Sequence, residues 1–170
     1  MEKNGIAVNI DRLHQLSTVF HDQLSTLESE IYAMVGHEFN VGSPKQLAVV
    51  LFDELKLFAG KKRSTDADTL NDLIDEHPVI EKILIWRSVS KLAGTYADAL
   101  PHQIAKDSRI HTTYLQTSTN TGRLSSRNPN LQNIPIKTEL GEEIRKCFVA
   151  TPGNTLISID YSQIQLRLLA

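Results

Sequence analysis

Several features that mark particular protein classes are scarce or absent in this sequence of 170 residues. Cys147 is the one cysteine, which excludes a disulfide framework and a cysteine-rich metal site. No run approaches the roughly 20 consecutive apolar residues of a membrane-spanning helix. The polar residues Met1–Asn9 also lack the apolar core of a secretory signal. We therefore expect a soluble protein of a reducing cytoplasm, with no membrane partner.

Negative charge is missing from one part of the chain. Residues 108–138, called the basic strip below, contain no Asp or Glu, although the whole chain has a formal net charge of -2. Most of the strip is Ser, Thr, Asn or Gln, and its cations are Arg109, Arg123, Arg127 and Lys137. Such groups bind nucleic-acid phosphates and sugars. Composition alone favours the other interpretation, a solvated loop region.

The first hundred residues show helical periodicity. Apolar residues recur at spacings of three, four and seven in the first of these segments, which predicts one long helix that ends at Gly36. Later starts are signalled by capping residues or by proline, and Gly94 is expected to bend or end the fourth helix. The four helices are predicted over 10–35, from Ser43-Pro44, from Thr65 or Asp66, and from Pro78 to about Leu100.

The last seventy residues show short extended runs. Residues 109–116 predict a strand, and residues 117–133 are rich in turn signals. The apolar runs 146–150 and 155–161, joined by Thr-Pro-Gly-Asn, predict a hairpin that ends near Asp160 and is followed by a helix capped by Ser162. The pattern therefore predicts an α+β fold, mainly helical, with a small antiparallel sheet.

Two long segments resemble a known protein family. Residues 121–135 read Thr-Gly-Arg-Leu-Ser-Ser-Arg-Asn-Pro-Asn-Leu-Gln-Asn-Ile-Pro, and residues 160–170 read Asp-Tyr-Ser-Gln-Ile-Gln-Leu-Arg-Leu-Leu-Ala. Both closely resemble hallmark segments of family A DNA polymerases, the bacterial DNA polymerase I type, and the resemblance extends over nearly the whole chain. It implies a helical thumb subdomain over 1–100 and a truncated N-terminal part of the palm over 101–170.

The second motif implies a metal site. By resemblance, Asp160 is a catalytic aspartate that ligates both Mg2+ ions of a two-metal nucleotidyl transfer, and the carbonyl oxygen of Tyr161 adds a ligand. Carboxylate and backbone oxygens are the ligands that such hard cations take. A lone Asp after a strand is otherwise a turn or capping residue, so the assignment depends on the motif around it.

The resemblance also implies a pocket for the incoming nucleotide. Lys137 stands where the family usually has Arg, and it keeps the charge near the nucleotide phosphates but loses the bidentate fork of arginine. Gln165 stands where Glu is usual. We expect steric exclusion of a ribonucleotide to persist there while the carboxylate's hydrogen bonding weakens. The pocket residues implied by the motif are Ser162, Gln163, Ile164 and Gln165.

A further group of residues is implied to contact DNA. Arginine donors can reach purine N3 and pyrimidine O2 at the minor-groove edge, and by resemblance Arg123 reads the primer terminus in this way. Arg87 and Lys91 share a helix face that by resemblance tracks the duplex backbone, although a solvated face is as good an interpretation. Local backbone turns are nearly as good an explanation for the implied template or primer contacts, which are Asn130, Gln132 and Asn133.

A two-metal site needs a second acidic ligand near Asp160, and nothing in 101–170 supplies one convincingly. We therefore expect the chain to be part of a DNA-directed DNA polymerase and to be inactive alone. Its partners would be primer-template DNA, deoxynucleoside triphosphates and the remainder of the polymerase chain, with its fingers and the rest of the palm. The alternatives are a stand-alone duplex DNA-binding module without catalysis and a helical interaction protein.

Overall fold

Helices dominate the first hundred residues and short strands follow, so the predicted α+β fold class is confirmed. The computed structural model describes residues 1–57, 63–136 and 138–169, with every side chain except that of Gln165. The α-helices are α1 Ile10–Val35, α2 Pro44–Ala48, α3 Ala67–Asp72, α4 Val79–Leu92, α5 Glu139–Arg145 and α6 Ile164–Leu169. The strands are β1 Ile6–Val8, β2 Arg109–Ile110, β3 Thr113–Leu115, β4 Ser125–Arg127 and β5 Phe148–Val149. Among the helices of this part of the chain, none has the length and hydropathy needed to cross a membrane.

The long first helix has the predicted limits. Its N-terminus is capped by Asn9, whose side chain accepts a hydrogen bond from the Arg12 amide at 3.0 Å. Gly36 adopts a left-handed φ of 93°, and its amide donates to the carbonyl of Tyr32, which closes the last turn. The residues buried on one face are Leu13, Leu16, Phe20, Leu27 and Ile31. This face packs against α4.

The starts of the next two helices follow their predicted caps. Ser43 caps α2, and Asp66, not Thr65, caps α3 through the Thr69 amide at 2.8 Å. A π-helical segment, Val49–Glu54, continues from α2.

The fourth helix is shorter than predicted. It ends at Leu92, and a π-helical segment follows over Ala93–Ala97. The amide of Asp98, the next residue, donates to the Ala93 carbonyl at 2.9 Å. A 3-10 turn follows at Leu100–Gln103. Gly94 lies in the π-helical segment, which agrees with its expected effect on the helix.

Among the described residues, the five strands pair in two small antiparallel sheets. In the first, the order is β2-β1-β5, with Ile6 opposite Ile110 and Ala7 opposite Val149. In the second, β3 pairs with β4. The single strand predicted over 109–116 is therefore split between the two sheets. Three elements have no counterpart in the sequence prediction, and these are β1, β4 and α5.

The predicted hairpin between 146–150 and 155–161 is wrong. The turn itself forms, because the Asn154 amide donates to the Thr151 carbonyl at 3.0 Å. However, β5 pairs with β1, and the described residues 155–161 contain no strand. Ile157 and Ile159 are 78% and 87% exposed. A pair of short strands is marginal without an apolar surface to cover, and these two side chains cover none.

Two hydrophobic clusters form the core of the described part of the chain. The first joins α1 and the end of α4 to Ile110, Ile144 and Cys147, so it includes residues on both sides of position 100. The second lies among α2, α3 and the start of α4, and Trp86 packs against both. Burial raises the pKa of the Cys147 thiol, which agrees with an inert core residue. The division into 1–100 and 101–170 stays a prediction.

Alanine substitution at two helical glycines tests this packing. At buried Gly141 a Cβ atom would lie 2.6 Å from the Pro135 carbonyl oxygen, so Gly141→Ala should lower the free energy of unfolding by about 1–3 kcal/mol. At Gly94 no atom of the described residues lies within 4 Å of the new atom, and φ is not left-handed. Gly94→Ala should therefore be neutral or stabilising by up to about 1 kcal/mol. Urea unfolding measures both, and equal effects would contradict the packing at α5.

Candidate nucleic-acid interface

The basic strip folds around two buried hydroxyl groups. Thr112 and Ser126 are only 5% and 2% exposed. The Thr112 hydroxyl donates toward the Pro129 carbonyl at 2.6 Å and lies 3.1 Å from the carbonyl of Arg127. It therefore ties the residues after β4 to the segment between β2 and β3.

Ser126 organises the amide side chains that follow it. Its hydroxyl donates to Asn130 Oδ1 at 3.1 Å and accepts from the Leu131 amide at 3.1 Å. Its own amide donates to Gln132 Oε1 at 2.9 Å, and Gln132 Nε2 donates to the Leu124 carbonyl at 3.0 Å. The local bonding that the sequence left open is thus present for Asn130 and Gln132, two of the three predicted amide contacts.

One arginine of the basic strip is hydrogen-bonded within the fold, and two others are exposed. Arg109 donates to the backbone carbonyls of Asn4 and Gly5, so it holds the segment before β1. Arg123 and Arg127 are exposed, and within the described ranges their side chains make no ion pair. The predicted DNA contact Asn133 is likewise exposed. Lys137, the remaining cation, lies outside the described residues.

The predicted helix face in α4 is not uniformly open. Arg87 is partly buried, and its guanidinium donates to the carbonyl of Thr65, just before α3. Burial lowers the pKa of this guanidinium. Lys91, one turn later, is exposed. Arg87 therefore supports the packing of α3, and its contact with DNA stays a prediction, as does that of Lys91.

The sequence has a second group of basic residues at Lys61, Lys62 and Arg63, and Arg63 is bound within the fold. Arg63 forms an ion pair with Asp53 at 2.6 Å and lies over the ring of Phe52. Lys61 and Lys62 lie outside the described residues.

The predicted catalytic segment is exposed. Asp160, Tyr161 and Ser162 lie between the turn at 151–154 and α6, and the Asp160 carboxylate has no hydrogen bond or ion pair within the described ranges. Ser162 does not cap α6, because the first helical bond runs from the Arg167 amide to the Gln163 carbonyl at 3.1 Å. Gln163 has a φ of 52°, and Ile164 begins the helix.

The donor set around Asp160 does not complete a Mg2+ site. Within the described ranges no three His, Cys, Asp or Glu side chains lie close enough to hold a metal ion. One carboxylate and the Tyr161 carbonyl fall short of the six oxygens of the octahedral Mg2+ shell. The side chain of Gln165, a predicted nucleotide contact, lies outside the described residues.

A groove of about 560 Å³ lies between the basic strip and the residues that follow α4. Its lining residues are Thr95, Tyr96, Leu100, Gln103, Asn128, Pro129 and Asn130. Of the predicted contacts it includes Asn130 but neither Arg123 nor Asp160. Thr95, Gln103 and Asn128 were not predicted, because their only sequence signal was that of helix-end or turn residues. An apolar cavity of about 580 Å³ beside β1, lined by Ile6, Phe148 and Leu156 among others, contains none of the predicted site residues.

His111 supplies a titratable contact beside Arg109. Its Nδ1 lies 2.7 Å from the Glu2 carbonyl oxygen, and its Nε2 lies 3.0 Å from Asp107 Oδ2. Both partners are acceptors, and only the protonated imidazole can donate from both nitrogens. The hydrogen bond to Glu2 and that to Asp107 therefore raise the pKa of His111, against desolvation by burial and the nearby charge of Arg109.

The comparison with protein families decides the identity. The model of DNA polymerase family A matches residues 10–170. The chain belongs to DNA polymerase family A. It is 51% identical over 174 residues to DNA polymerase I of Treponema pallidum (strain Nichols), covering 100% of this chain and 18% of that protein. It is 48% identical over 177 residues to the thermostable DNA polymerase I of Thermus aquaticus, covering 100% of this chain and 21% of that protein.

A solved structure supports the same family. The POL domain of Pol1 from M. smegmatis, in complex with DNA primer-template and dNTP, matches with a TM-score of 0.88 and 44% sequence identity. The match covers 99% of this chain and 31% of that chain. The chain thus spans about a fifth of the length of these curated family A relatives.

We expect a pH-dependent contribution of His111 to stability. Because its pKa is raised above 6.5 in the folded state, the stabilisation is complete below that value and is lost as the pH rises through the folded pKa. The Tm difference between the wild type and His111→Gln should be large near about pH 5.5 and small by about pH 8. His14→Gln, at an exposed position of α1, is the control. A Tm difference that does not change with pH would contradict this assignment.

Proposed function

We propose that this chain forms the thumb, over 1–100, and the first palm segment, over 101–170, of a DNA-directed DNA polymerase. The polymerase extends a primer on a DNA template by two-metal nucleotidyl transfer, and the chain alone is inactive. One observation carries the proposal, namely a TM-score of 0.88 over 99% of the chain to a polymerase domain described in complex with primer-template and dNTP. The presence of the polymerase in the cytoplasm is part of the same proposal.

Asp160 is the proposed catalytic residue and metal ligand. Its exposed carboxylate has no partner within the described ranges, so it is free to bind a cation together with the Tyr161 carbonyl. The remaining oxygens for Mg2+ would come from a carboxylate in the remainder of the polymerase chain, from the nucleotide phosphates and from water. When bound there, the metal pair would activate the primer hydroxyl and neutralise the leaving phosphate.

The nucleotide and DNA contacts extend the same proposal. Ser162, Gln163 and Ile164 lie next to Asp160 in sequence and are exposed. They would contact the incoming deoxynucleoside triphosphate, together with Gln165 and Lys137. The exposed residues that would contact primer-template DNA are Arg123, Asn130, Gln132, Asn133 and Lys91. Arg87 has the weakest support among these contacts, because its guanidinium already binds the Thr65 carbonyl.

A second candidate function is a stand-alone duplex DNA-binding module without catalysis. The observation in its favour is the combination of exposed Arg123 and Arg127 with an incomplete metal site within the described ranges. Such a module would bind duplex DNA measurably, and its affinity would fall as the salt concentration rises, because contacts with phosphates release counterions.

Primer extension tests the polymerase proposal directly. The gene is sequenced past codon 170, and the whole reading frame and the 170-residue chain are purified separately. With Mg2+ and four deoxynucleotides, we expect extension by the longer product only. Asp160→Asn in that product should lower kcat by at least about 100-fold, since a metal ligand is lost. Asp107→Asn is the matched control and should remain active.

Either of two results would overturn the polymerase proposal. One is template-directed extension by the purified 170-residue chain. The other is a stop codon directly after Ala170, which would favour the binding module instead.

Duplex binding by the chain itself tests the interface. We expect Arg123→Ala to weaken the affinity for a primer-template by about 10-fold, because an exposed charged donor is removed from the basic strip. Arg145→Ala, at an exposed position of α5 outside the strip, should change the affinity by less than about 2-fold. Fluorescence anisotropy at several salt concentrations measures both. Equal losses for the two variants would place the interface elsewhere.

A further inference from the structure

The orientation of two amide side chains in the basic strip is set by backbone groups. A peptide N–H can only donate, so each side-chain atom that receives one must be the oxygen. The Gln132 amide donates to Asn130 Oδ1 at 3.0 Å, and the Ser126 amide donates to Gln132 Oε1 at 2.9 Å. Both amide planes are therefore oriented without ambiguity between oxygen and nitrogen.

Gln132 is committed to the fold at both ends. Its Oε1 accepts from Ser126, and its Nε2 donates to the Leu124 carbonyl at 3.0 Å. These two bonds hold the side chain against Ser126 in β4 and against Leu124, which follows Arg123 in the sequence. One N–H and one lone pair of this exposed amide remain, so Gln132 is anchored by its two internal bonds and keeps half of its hydrogen-bonding capacity.

Asn130 is committed at one end only. Its Oδ1 accepts two hydrogen bonds, from the Ser126 hydroxyl at 3.1 Å and from the Gln132 amide at 3.0 Å. Its Nδ2 has no partner within the described ranges, and Asn130 is an exposed residue that lines the groove of about 560 Å³. The side chain therefore has a free donor and no free acceptor, and the residue lines the groove.

We propose that Ser126 and Gln132 are positioning residues that hold Asn130 with its Nδ2 donor toward the groove. There the donor binds an acceptor atom of duplex DNA, either a minor-groove base acceptor or a phosphate oxygen. The identity of this ligand rests on the proposed function, whereas the positioning is a property of the chain alone. Ser126 acts from a buried site, at 2% exposure, and does not touch DNA itself.

Amide hydrogen exchange in the DNA-free chain tests the positioning. Ser126→Ala removes the acceptor of the Leu131 amide and one of the two donors to Asn130, so exchange at Leu131 and Gln132 should become about 5- to 10-fold faster. Ser125→Ala is the matched control, because the Ser125 hydroxyl has no hydrogen bond within the described ranges. It should leave both rates unchanged.

A second variant keeps the test decisive if Ser126→Ala does not fold. Gln132 is exposed, so Gln132→Ala should fold, and it removes the acceptor of the Ser126 amide. Exchange at Ser126 should then become about 5- to 10-fold faster. Unchanged exchange at these amides in the folded variants would overturn the positioning assignment, whatever the DNA measurements show.

Duplex titration of the same chain tests the ligand. Asn130→Asp keeps the internal acceptor but replaces the free donor with an oxygen, so affinity should fall by about 10-fold or more while exchange at Gln132 stays slow. Ser126→Ala should lower affinity by a smaller factor, and Ser125→Ala should not change it. Loss of affinity for a duplex with 3-deazapurines would assign the donor to purine N3, because that duplex lacks N3 but keeps every pyrimidine O2 and every phosphate oxygen. No loss of affinity in Asn130→Asp, or no duplex binding by the wild-type chain, would overturn the ligand assignment and leave the exchange result to stand by itself.

Discussion

Burial of one face of α1 holds the described parts of the fold together. The side chains of Leu13, Leu16 and Phe20 pack in the same cluster as Ile110 and Ile144, which come from β2 and α5. The helical part and the strands therefore share this cluster. Burying side chains of this size stabilises the fold by roughly 1.5–3 kcal/mol each. The position of β1, paired with both β2 and β5 immediately before α1, follows from this packing.

The candidate interface depends on that core through the strands. Because β2 is paired with β1, the following Thr112 is held under the loop that carries Pro129. Ser126 then sets the amides of Asn130 and Gln132 from within the second sheet. The polar side chains of the loop are consequently arranged before any ligand binds, which reduces the entropy lost on binding.

Part of this structure could be predicted because its signals are local. The stripe from Ile10 to Val35, the left-handed Gly36 and the cap at Asp66 all act within about one helical turn, so sequence spacing reveals them. The strand β1 could not be predicted in this way. It has three residues, and its partners lie about 100 and 140 positions later in the chain. The same distance explains why β5 was assigned to the wrong partner.

The candidate site divides along the same line. The sequence by itself determined the family, through the motifs at 121–135 and 160–170, and it singled out Arg123 and Asp160, which are exposed. Only the tertiary structure decided which polar groups are already in use. The side chains of Arg87, Arg109 and Gln132 donate to backbone carbonyls. The side-chain nitrogen Nδ2 of Asn130 has no partner within the described ranges. Residue type determines which hydrogen bonds a side chain can make, whereas the neighbours brought close by folding determine which of these remain open to a ligand.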